Sequence, residues 1–163
     1  MKIIFLDIDG VLNTDRAVKL QKLFNHDRII FDAEAMKNLK ELIKETNAYI
    51  VISSTWRIHY GTDNRLWKEL MSNFIENYID DRIIDITPVL SEKLNTSIRW
   101  KEIETWLVDN RDKEIESFVI IDDEWEMGEY TKDRYVKCQA YKGISKDSKD
   151  KARKILLTPI KNN

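Results

Sequence analysis

Cysteine, glycine, proline and histidine are all scarce in this chain of 163 residues, and each shortage removes a class of protein. The one cysteine, Cys138, cannot build an intramolecular disulfide framework, and its isolation suits a reducing, cytoplasmic setting. Four glycines and two prolines leave little material for long flexible linkers. The two histidines, His26 and His59, are too isolated to suggest a zinc site or a catalytic triad. No apolar run approaches the ~20 residues that a membrane span requires. Met1-Lys2 leads directly into a strand-like run, so no signal peptide is expected. A formal net charge of −2 argues against an all-over coat for nucleic acid. The length predicts one domain with a sizeable core over residues 1–157, followed by a loose tail over 158–163.

What the chain does have is concentrated near its beginning. Ile3-Ile4-Phe5-Leu6 is an unbroken apolar run of the kind a strand buried on both faces needs. Asp7 and Asp9 follow, and residues two apart on a strand project to the same side. Gly10 then permits a sharp turn. Two neighbouring carboxylates repel, and desolvating them without a counter-charge is expensive. A divalent cation with oxygen ligands, foremost Mg²⁺, is the cheapest resolution.

Further apolar runs lie at Tyr49–Ile52, before Ser53-Ser54-Thr55-Trp56-Arg57, at Ile83–Ile86, before Pro88, and at Ser117–Ile121, before Asp122-Asp123. Tyr135–Lys137 is a candidate edge strand. Between them are amphipathic helices. One starts after Asp32 as its cap and ends at Asn47, and a second spans Leu66 to about Tyr78. A third follows Thr96-Ser97, and a fourth follows Ser145. Strands alternating with helices predict an α/β protein, a parallel sheet with helices on both faces and ligands at the carboxyl ends of its strands.

Asp7-Ile-Asp9-Gly10-Val11-Leu12 resembles the first motif of the haloacid dehalogenase (HAD) superfamily of phosphohydrolases, and two later strand ends and the start of a helix between them resemble its other motifs in order. The resemblance spans Lys2 to about Leu157. It implies a three-layer α/β/α Rossmann-like core whose mostly parallel five-stranded sheet runs 5-4-1-2-3. It also implies a minimal cap, because Thr14 to His26 is long enough only for a flap or helical turn. Asp7 would be the nucleophile that becomes a phosphoaspartate, and Asp9 the general acid and then base. Ser53 or Ser54 would hold the phosphate oxygens, with Thr55 and Arg57 as neighbouring substrate contacts. Arg99 or Lys101 would neutralise the transferring phosphoryl group. Arg99 is favoured because Arg99-Trp-Lys-Glu-Ile-Glu-Thr-Trp-Leu resembles small HAD domains with Arg at that position. Asp122 would ligate Mg²⁺ together with the Asp7 side chain and the Asp9 backbone carbonyl. Asp123 would hold a metal-bound water or orient Arg99.

Several of these residues also have plainer readings. Arg57 can pair with Asp63, Trp56 can belong to the core, and Cys138 reads as packing. Asp80-Asp81 reads as a solvated turn. The lysines between Lys132 and Lys154 fit a solvated helix face or, alternatively, a track for a phosphodiester backbone. The leading expectation is a Mg²⁺-dependent phosphatase. Its substrates would be nucleic-acid end phosphates or nucleotides, because Ser53–Arg57 and the Arg99 helix resemble HAD domains linked to RNA repair. Sugar phosphates and phosphoproteins remain as other substrates. A small-molecule phosphatase and a non-catalytic binding module of the same fold are the competing readings.

Overall fold

The computed structural model describes residues 1–24, 27–90 and 98–160. His26, the expected cap Thr96-Ser97, the far part of the loop after Pro88 and residues 161–163 lie outside them.

Five strands form one sheet: β1 (Lys2–Leu6), β2 (Tyr49–Ile52), β3 (Ile83–Ile86), β4 (Ser117–Asp122) and β5 (Tyr135–Lys137). Their order is β3-β2-β1-β4-β5, the order the resemblance implies, and every neighbouring pair is parallel. The central strand is apolar without alternation because both of its faces are covered. Ile4 and Leu6 join a core with α2 (Ala33–Thr46), α3 (Arg65–Glu76) and α5 (Lys146–Leu156). Ile3 and Phe5 join a second core with Ile103 and Trp106 of α4 (Arg99–Asp109). There Phe5 meets Trp106 and Phe118 edge-on, at 5.3 and 5.8 Å between ring centres. The result is the three-layer α/β/α arrangement.

The stretch after Asn13 becomes α1 (Asp15–Phe24), of which only Ala17 is buried, so it adds a small flap rather than a cap domain. Asp32 pins this flap and the loop leading to it. It caps α2 through the amides of Glu34 and Ala35, as its position predicts. It also accepts from the Thr14 hydroxyl at 2.9 Å and the Arg16 guanidinium at 2.8 Å, while its own amide donates to the Leu12 carbonyl. One side chain thereby fixes the exit of β1 against the start of α2.

Two expectations change. Lys149 is not a solvated lysine: it is 8% exposed, and its ammonium lies 2.6 Å from Glu41 of α2. Nor is the start of the tail loose. The Ser117 hydroxyl donates to the Thr158 carbonyl at 3.0 Å, and the Ile160 amide donates to the Glu116 carbonyl at 2.9 Å. Among the described residues, no helix is long and apolar enough to cross a membrane.

Candidate active site

β1 and β4 lie side by side with Leu6 opposite Ile121, so Asp7 and Asp122 emerge together at the carboxyl edge of the sheet. The Asp7 amide donates to the Ile121 carbonyl at 3.0 Å, extending the ladder by one bond. Gly10 then turns the chain at φ +74° and passes so close to Asp123 that a Cβ there would stand 2.2 Å from Asp123 Oδ2. Only glycine satisfies both conditions. Carboxylate oxygens of Asp7, Asp122 and Asp123 all come within 4.8 Å of one another, a group able to hold a metal ion.

The electrostatics of this cluster follow from its burial. Asp7 and Asp122 are 6% and 0% exposed. Burial pushes the Asp122 carboxyl up to about 8, and the Asp7 charge adds to the rise while Arg99 opposes it. Asp7 is raised mainly by burial, against the pull of Arg99, the Ile8 amide and the Ser54 hydroxyl. Asp123 is raised by burial and by Asp7. Arg99, the first residue of α4, places Nη1 2.9 Å from Asp7 Oδ1 and 2.9 Å from Asp122 Oδ2. One guanidinium thus faces three acids. That imbalance, with an all-oxygen donor set, suits a hard divalent cation.

The Ser53 amide donates to the Leu6 carbonyl at 2.9 Å, which brings the end of β2 against β1. Ser54 lies close enough to Asp7 for its hydroxyl to hold that carboxyl down, and its oxygen caps the 3₁₀ turn Thr55–His59 through the Trp56 amide. The Ser53 hydroxyl is buried without a hydrogen-bond partner among the described residues. Thr55 opens the turn and is half-buried.

Asp9 is exposed, and its carboxylate is held away from the three-acid group. The Trp56 indole N–H donates to Oδ2 at 2.9 Å, and the Asn13 amide donates to Oδ1 at 2.9 Å. Trp56 is therefore more than a core residue, for it is 5% exposed and packs on Phe31 while also orienting Asp9. Sequence reading missed both donors. Asn13 had a signal, being four residues from Asp9 in the same turn. Trp56 had none, since its bond to Asp9 spans 47 positions.

Two candidates fall outside the cluster. Arg57 is 3% exposed and spends its donors inside the protein. Nε donates to the Thr87 carbonyl at 3.1 Å, Nη1 to the Ser54 carbonyl at 2.7 Å, and Nη2 lies 2.6 Å from Glu102 Oε2. Nη2 also donates to the Pro88 carbonyl at 3.4 Å, so four of the five guanidinium N–H groups are engaged within the protein, and Asp63 pairs with Lys68 instead. A guanidinium this deeply buried requires a counter-charge, and Glu102 supplies it. Lys101 is exposed, with its ammonium over the Trp100 ring at 5.3 Å. Residues two apart on a helix point ~200° apart, so Arg99 and Lys101 cannot both face the acids. Cys138 is buried, and its thiol is pushed up to about 12 by that burial, as packing rather than reactivity demands.

A family model described as the HAD domain in Swiss Army Knife RNA repair proteins matches residues 3–148. The chain belongs to this family. No curated protein and no solved structure matches the chain. The matched span of the HAD domain runs from β1 into the first turn of α5, and so takes in the acid cluster, Arg99, Ser54 and Asp9 with both of its donors.

Proposed function

We propose that this HAD domain is a Mg²⁺-dependent phosphomonoesterase that works through a phosphoaspartate on Asp7, with a nucleic-acid end phosphate or a nucleotide as substrate. The observation that carries the reading is the contrast between two carboxylates two residues apart. Asp7 is buried against Arg99 and Ser54, whereas Asp9 is exposed and held by Trp56 and Asn13. Two such acids in unlike surroundings suit one nucleophile and one proton carrier.

In the first step an Asp7 oxygen bonds to phosphorus while the bond to the leaving oxygen breaks, and Asp9 donates its proton to that oxygen. In the second, Asp9 takes a proton from water as the water attacks phosphorus, freeing phosphate and regenerating Asp7. Arg99 neutralises Asp7 as the anionic substrate approaches. Ser54 is the hydroxyl best placed to bind a phosphoryl oxygen beside Asp7. Asp7, Asp122, Asp123 and the Asp9 backbone carbonyl would hold Mg²⁺, which supplies charge neutralisation to the phosphoryl oxygens. The restraint on Asp9 favours catalysis over a pure binding module, which has no use for an oriented acid beside a nucleophile.

The test is release of inorganic phosphate with Mg²⁺ and with EDTA. Substrates would be 3′- and 5′-phosphorylated RNA and DNA oligomers, mononucleotides, sugar phosphates and an aryl phosphate. Release should require Mg²⁺, and Asp7→Asn should reduce it to background with an unchanged circular dichroism spectrum. Turnover that survives in Asp7→Asn removes Asp7 as nucleophile.

A further inference from the structure

The chain carries a formal charge of −2, yet one groove near the acid cluster is lined by more cations than acids. This groove of about 520 Å³ runs between β5 and the first half of α5, lined among others by Trp125, Lys137, Lys142, Asp147 and Lys151. Three cations thus face one acid, and Asp147 sits in the first turn of α5, where a negative charge complements the helix N-terminus.

The groove lies one strand away from the candidate site. Lys137 is the strand partner of Asp122. Its loop wall is fastened to the first motif: the Ile144 amide donates to the Val11 carbonyl at 3.1 Å. Gly143, at φ +62°, comes so close that a Cβ would lie 2.1 Å from the same oxygen. The groove therefore keeps a fixed position relative to Asp7.

Trp125, two residues beyond Asp123, is 83% exposed. An indole so exposed contributes almost nothing to the core. Lys137 Nζ lies 4.3 Å from the centre of its ring, so the aromatic face and a cation form one unit at the groove rim. The flanking Glu126 is turned aside, its carboxylate accepting from the Gly128 amide.

We infer that this groove binds the single strand of nucleic acid adjoining the terminal phosphate, with a base stacked on Trp125 and phosphodiesters met by Lys137, Lys142 and Lys151. An aromatic platform beside a line of cations is the recurring solution for single strands. The inference rests on the phosphatase reading for the end it presents, but its test does not.

Binding of a fluorescein-labelled RNA oligomer without a terminal phosphate would be followed by anisotropy in Mg²⁺, beside hydrolysis of an aryl phosphate. Trp125→Ala should weaken oligomer binding roughly 5- to 160-fold and leave aryl phosphate turnover unchanged. The triple variant Lys137→Gln, Lys142→Gln and Lys151→Gln should lower the slope of log affinity against log salt by about 2, at ~0.7 per phosphate contact. Both changes are at exposed side chains, and circular dichroism would verify the fold. Oligomer binding indifferent to both variants overturns the groove, and so does equal competition by an acidic phosphopeptide. Binding that depends on Trp125 in a protein inert towards every phosphomonoester upholds the groove and overturns the phosphatase reading instead.

Discussion

Asp9 owes its orientation to two donors that reach it from different directions. Asn13 comes from its own turn, and Trp56 comes from the turn after β2. Without them an exposed aspartate would sample several rotamers, and under the proposed mechanism its proton would be available at the leaving oxygen only part of the time. Trp56→Phe keeps a ring against Phe31 but removes the N–H. Turnover of an ester with a poor leaving group should fall by up to roughly ten-fold, the size of one hydrogen bond to a neutral group, since Asp9 is protonated when it acts as the acid. KM should stay nearly constant, and an aryl phosphate, which needs little proton donation, should be much less affected. Equal losses on both esters would mean that Trp56 acts through packing alone.

α4 sorts its residues by angle: Arg99 turns towards the acids and Lys101 towards solvent. The helix is held in that rotation by Glu102, whose carboxylate takes Arg57 at 2.6 Å and the Leu90 amide at 3.2 Å. Because Arg57 also holds the Ser54 carbonyl, one buried ion pair ties the serine turn to the helix that delivers Arg99. Glu102→Ala leaves the guanidinium buried without its counter-charge, a loss of about 3–5 kcal/mol. Urea unfolding measures this directly. A change below about 1 kcal/mol would show that the pair is wetter and weaker than its burial indicates. Lys149 performs a similar service on the other face, joining α5 to α2 through Glu41.

For the whole molecule, the acid cluster sets the pH dependence of stability. Asp122 moves from its ordinary 3.8 to about 8 on folding, with burial the main cause, and Asp7 and Asp123 move the same way. Between those values the folded state holds more protons than the unfolded one, so stability falls as pH rises. In EDTA the melting temperature should therefore drop from pH 5.5 to pH 8. Mg²⁺ bound at this cluster as proposed would require the deprotonated acids, so the rise in melting temperature on adding it should be larger at pH 8 than at pH 6. Calorimetry at the two pH values, with and without metal, checks both signs. A melting temperature that climbs with pH in EDTA would mean the cluster is already neutralised by Arg99.

The amino-acid order by itself determined the strands, most helix limits and the parallel α/β architecture, because these depend on local signals: apolar runs, the Asp32 and Ser145 caps, and Asn47 in the left-handed conformation that ends α2. It also marked Asp7, Asp9, Asp122 and Asp123, since acids directly after buried strands are conspicuous in one dimension. Tertiary structure alone decided which neighbours share the site. Arg99 rather than Lys101 faces the acids, and Arg57 turns inward to Glu102, 45 residues away. Those outcomes depend on the rotation of a helix and on where a buried charge finds its partner. Both are set by packing between distant segments, which no local pattern encodes.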